Sequence, residues 1–66
     1  MTEMQDLLEN LLRNRINEES LKDNKDFSEI TNTMNIFLAD YSITTLQFAR
    51  LTKLIALANV GTSTTN

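Results

Sequence analysis

The chain has no cysteine, no histidine, no proline and no tryptophan, one glycine, and four aromatic residues: Phe27, Phe37, Tyr41 and Phe48. Without cysteine, disulfides and thiolate zinc sites are excluded, and with no histidine either, the usual transition-metal ligand sets are gone. A nucleophile would have to be Ser or Thr beside Lys, or else paired carboxylates would have to do the chemistry. The Glu-x-x-His pattern of di-iron bundles cannot occur, and no glycine-rich phosphate loop is present. The segment "DNKDFSE" loosely suggests a calcium loop, but Lys25 stands where a ligand belongs and the turn glycine is missing. The reading is therefore a non-enzymatic protein without cofactor or metal.

A long uninterrupted apolar run is also lacking. The stretch from Ile43 to Val60 is about the shortest that could span a bilayer, yet Gln47, Arg50 and Lys53 sit in its middle. An interfacial helix would carry more cations on its polar face, so no membrane association is expected. The opening "MTEMQDLLEN" has Glu3, Asp6 and Glu9 in place of the basic start of a signal peptide. This suggests a cytoplasmic protein, in keeping with the absence of cysteine. The abundance of Asn, Thr and Ile is compatible with an AT-rich genome and a phage-encoded protein in its host's cytoplasm.

What is present is the composition of a globular domain: 66 residues, 41% hydrophobic, 23% charged, net charge -3. A domain this small buries only about 60% of the surface its unfolded chain exposes, so its margin over conformational entropy is thin. Small chains offset this with disulfides, a metal or a partner subunit. With the first two excluded, a homodimer is expected.

Apolar periodicity predicts an all-α domain of three helices over about 2–21, 26–41 and 44–60, completed as a dimeric helical bundle, with 1–61 as one domain and 62–66 a frayed tail. In the first helix Met4, Leu7, Leu8, Leu11, Leu12 and Ile16 form one stripe. Thr2 and Gln5 fit a capping box, in which each side chain satisfies an orphan backbone N–H of the first turn. Acidic Glu3 and Asp6 near the start, with Arg13 and Arg15 further on, suit the helix dipole, and Glu9–Arg13 and Glu18–Lys22 have i,i+4 spacing. Beyond Leu12 the stripe passes to Arg15, Glu18 and Glu19, so the far end projects past the core, either as a solvated last turn or as a charged patch for a partner.

The connector "KDNKD" leads to a second capping box, Asp26 with Glu29, and to a seam of Phe27, Ile30, Met34, Phe37 and Tyr41 at alternating spacings of three and four. "YSITTLQF" places three β-branched residues after a serine, which marks a break. Thr44 with Gln47 gives a third capping box, and Ile43 before it can pack on Phe48 as a hydrophobic staple. The alternative is one helix from about Asp26 to Val60. The third helix stops before Gly61, whose conformational freedom suits a helix C-terminus.

All nine acids lie at or before Asp40. Their positions are explained by caps, i,i+4 pairs or solvation, and none is expected to be buried. The third helix has Phe48, Leu51, Leu54, Ile55 and Ala58 on one arc and Leu46, Ala49, Ala56, Leu57 and Val60 on the other, with Arg50 and Lys53 among the second set. A helix apolar on two sides is usually covered on two sides. Leu46, Arg50, Lys53 and Leu57 are thus the main candidate protein interface, with Arg15, Glu18 and Glu19 as a second patch. The expected function is to bind another protein as a regulator, inhibitor or assembly factor. Two alternatives remain: a DNA-binding regulator using the third helix for recognition, although two cations neutralise few phosphates, and a structural or scaffolding virion component.

Overall fold

A computed structural model of the chain describes residues 2–60, the side chain of Val60 excepted. It is an all-α domain of three helices, α1 (Glu3–Ser20), α2 (Ser28–Ala39) and α3 (Thr45–Val60). The expected end at Gly61 and the frayed tail lie outside the described residues.

The helices run up, down and up, so α1 and α3 are parallel and their N-termini share one end of the bundle. Both starts are fixed by the same chemistry. Thr2 Oγ1 accepts from the Gln5 N–H while Gln5 Oε1 accepts from the Thr2 N–H, and Thr44 and Gln47 repeat the arrangement at the head of α3. The chain does break between α2 and α3, and Ile43, just before the second cap, enters the core, against which Phe48 also packs.

The start of α2 differs from expectation. Its N-cap is Phe27, with no side-chain cap. Asp26 makes a tight local turn instead, its Oδ1 accepting from the Ser28 N–H, while its own N–H donates to Glu19 Oε2. Burial of Phe27 fixes the entry of the chain, and Asp26 is left one residue too early to cap. The end of α2 differs too. Tyr41 is not the last residue of the seam; it lies beyond the C-cap Asp40 with φ 62 and a side chain 84% exposed. The Ser42 N–H donates to the Phe37 carbonyl and the Tyr41 N–H to the Leu38 carbonyl, the paired bonds of a Schellman motif, which calls for a left-handed residue where Tyr41 stands. Gln5 Nε2 holds the Tyr41 carbonyl at 3.0 Å, joining the head of α1 to this turn.

The core is Leu12 and Ile16 of α1, Phe27, Ile30 and Met34 of the second arm, Ile43 of the turn and Leu51 of α3. Only part of the expected α1 stripe belongs to it. Leu8 is half-buried, while Met4, Leu7 and Leu11 are 61%, 63% and 50% exposed. The apolar arc of α1 is wider than its contact with α2 and α3, and the buried line is set by Glu9, Leu12 and Ile16. Because α1 ends at Ser20, its last turn carries no cation, and Lys22 pairs with Glu19 Oε1 at 3.0 Å rather than with Glu18.

Candidate functional site

Glu9 and Gln47 are the two polar residues buried among the described residues, at 5% and 0% exposure, and they meet between α1 and α3. The expectation that no acid is buried therefore fails for Glu9. Its register explains the burial: Glu9, Leu12 and Ile16 stand three and four residues apart on the side of α1 that faces α3. Gln47 holds the matching place on α3, in line with Leu51 and Leu54.

An ionised carboxylate offers about four acceptor sites, and here each is filled. Oε1 accepts from Gln47 Nε2 at 3.1 Å and Arg50 Nη2 at 2.8 Å. Oε2 accepts from Arg50 Nε and Arg13 Nη2, both at 3.0 Å. The Arg50 contact is the two-pronged guanidinium–carboxylate geometry, the strongest form of such a pair. Gln47 Nε2 also donates to Asp6 Oδ1 at 3.2 Å. No buried side-chain polar atom among the described residues is left without a partner.

The Arg50 hydrogen bonds hold the Glu9 carboxyl below the usual glutamate range against the opposing effect of burial, with Gln47 and Arg13 adding to the depression. The same bond raises the Arg50 guanidinium further. With its lone pairs engaged, Glu9 has none to offer a metal or a substrate proton. The cluster works as a polar key that fixes how α1 lies along α3.

The residues expected to meet partners are placed apart. Leu46 and Leu57 are 56% and 58% exposed on the outer side of α3, with Lys53, Ala49 and Ala56 exposed on the same side. Lys53 has no ion pair among the described residues. Arg50 belongs to this side by position but its guanidinium is turned onto Glu9. Leu57 also borders an open groove of about 470 Å³ between the far ends of α1 and α3, lined by Ile16, Asn17, Ser20, Lys25, Leu54 and Ala58 as well. Arg15, Glu18 and Glu19 line a separate polar cleft with Asp26 and Glu29. Within it Glu19 serves the fold, since the Asp26 N–H, with Lys22, holds its carboxyl below the usual range.

Sequence reasoning missed Glu9 and Gln47 as a pair, although each stands on a line of buried apolar residues of its own helix. It also missed the exposed row Met4, Leu7 and Leu11. Fold and site together define, among the described residues, a small all-α three-helix domain with a buried polar key and exposed apolar side chains, three of them on α1, Leu46 and Leu57 on α3 and Ile36 on α2. Compared with protein-family models, curated proteins and solved structures, the chain matches none of them. No helix among the described residues is long and apolar enough to cross a membrane.

Proposed function

We infer that the chain is a non-enzymatic helical protein that dimerises and binds another protein as a regulator, inhibitor or assembly factor. One observation carries this reading. Two separate rows of large apolar side chains stand in water, Met4, Leu7 and Leu11 on α1 and Leu46 and Leu57 on α3, while the core has seven buried apolar residues among the described ones. Scattered exposed leucines are ordinary, whereas aligned ones mark contact surfaces. The α3 row is the surface for the foreign partner: Lys53 stands between its leucines, which suits an apolar segment with acidic residues.

The test uses the tagged protein as bait in the cells that produce it, with cross-linking, beside Leu46→Glu and Leu57→Glu baits. A partner retained by wild type and lost from both variants supports the reading. Equal recovery on all three baits, or none, counts against it. The DNA-binding alternative draws less support, because one of the two cations of α3 is already engaged by Glu9. Unchanged mobility of duplex DNA at low salt removes it.

A further inference from the structure

The reading above leaves open which face joins two copies, and charge and symmetry distinguish the two apolar rows. In a two-fold dimer each surface meets itself. The exposed side of α3 follows a heptad line through Leu46, Ala49, Lys53 and Ala56. Closing this line on itself brings the Lys53 of both copies into one apolar seam, with no acidic residue on α3 to pair with either, and like charges brought close without partners are disfavoured. The α1 row has no such obstacle. Met4, Leu7 and Leu11 occupy the a, d and a positions of a heptad line, and the next positions on that line are Asn14 and Glu18. The apolar part therefore lasts two turns, with Leu7 in the middle.

We propose that a second copy of this chain packs across the outer side of α1, antiparallel, with Leu7 on the two-fold axis. This rests on the dimerisation part of the reading above and assigns it a face. In that arrangement Met4 of each copy lies opposite Leu11 of the other, and Leu7 meets Leu7. Glu3 falls on the same flank as Asn10 of the second copy, whose carboxamide can donate to it. Glu18 extends past the start of the other helix into water. A parallel pairing would instead stack Glu18 on Glu18 and align the two helix dipoles. With α1 used for self-association, the cation-bearing side of α3 stays open for the foreign partner.

The experiment is sedimentation across a wide concentration range for wild type, Leu7→Glu, Leu7→Lys and Leu57→Glu, with circular dichroism to check folding. Wild type sediments as a dimer. Each charged Leu7 variant raises the dissociation constant about a hundredfold or more, since it sets like charges face to face, and Leu57→Glu leaves it unchanged. A mixture of the Leu7→Glu and Leu7→Lys chains pairs again, because opposite charges then meet on the axis. Should a charged Leu7 chain fail to fold, the Met4→Gln, Leu11→Gln double variant must weaken the dimer in its place. A dimer lost in Leu57→Glu and kept in Leu7→Glu overturns the assignment while dimerisation stands. A wild type that remains monomeric overturns both, and growth beyond a dimer overturns the two-fold closure.

Discussion

The two halves of α1 obey opposite rules. From Leu12 onward the helix buries Leu12 and Ile16 and exposes Arg13, Arg15 and Glu18, as an amphipathic helix should. Before Leu12 it buries Glu9 and exposes Met4, Leu7 and Leu11. Hydrophobicity alone would have turned the first half the other way. It is held by the polar key on α3, which fixes the rotation of the whole helix and presents three apolar side chains to water. Departures from the binary pattern tend to gather where a protein meets something else.

The sharpest way to break this contrast is to truncate adjacent leucines, one from each side of it. Leu12→Ala removes a side chain that is 1% exposed and should cost about 2–4 kcal/mol. A domain of this size has little reserve to absorb such a loss. Leu11→Ala, one residue away and half exposed, should change the stability of the dilute protein by less than about 0.5 kcal/mol. Urea unfolding of the two variants at low concentration decides the matter; similar losses would mean that the row on α1 belongs to the core.

The two capping boxes give the next comparison. Gln47→Ala removes a fully buried amide, the reciprocal cap of α3 and the donor to Asp6 and Glu9, for an expected loss of about 2 kcal/mol. Gln5→Ala removes the equivalent cap of α1 at an accessible site, where water can replace the amide, and should cost roughly 0.5–1 kcal/mol. Thermal midpoints compared under one condition test the ordering, and a larger loss at Gln5 would reverse the ranking of the two ends.

These boxes were legible in the sequence because a cap is local, needing only Thr and Gln three residues apart. The three helices were legible for the same reason, through spacing along a single element. Asp26 misled because its helix start depends on where Phe27 is buried, which is a tertiary matter. Tyr41 misled because its spacing continues the seam, while the fold needs a turn there and takes a non-glycine residue into the left-handed region. Glu9 could be read only in conjunction with partners about forty positions away. The positions proposed for protein contact were legible as a second apolar side of α3, but the turning of Arg50 onto Glu9 depends on a residue of another helix and leaves no trace in the spacing of α3.

The left-handed Tyr41 is at the same end of the bundle as the exposed half of α1, tied to it by Gln5. A side chain in that conformation costs about 1–2 kcal/mol relative to glycine. Tyr41→Gly should therefore raise stability by roughly 0.5–1 kcal/mol despite the added freedom of the unfolded chain. The side chain is 84% exposed, so little packing is lost. A destabilised variant would show that the tyrosine ring contributes to the fold in a way its exposure does not suggest.

The polar key itself should have a smaller effect on stability at neutral pH than its position implies. Glu9→Met keeps a side chain of similar length on the α1–α3 contact and removes the charge that had to be taken from water. Removing one partner of a buried pair is costly when the other is left buried and unpaired, but the Arg50 and Arg13 side chains are 45% and 46% exposed and can turn to water, and Gln47 keeps its bonds to Thr44 and Asp6. The expected change is within about 1 kcal/mol. The difference should appear in acid. A carboxyl whose folded pKa is depressed contributes stability that is fully present above its unfolded value, about 4.3, and is lost as pH falls through the folded value. Glu9 is depressed chiefly by its hydrogen bonds to Arg50, so wild type should lose stability below that unfolded value more steeply than Glu9→Met. Some acid sensitivity should persist in the variant, because Glu19 and Asp26 are lowered as well, by the Asp26 N–H and by Ser28 respectively. Urea midpoints measured from neutral pH into acid for both proteins provide the check. Parallel curves would mean that the Glu9 carboxylate gains nothing from the fold, and the key would then set the rotation of α1 by shape alone.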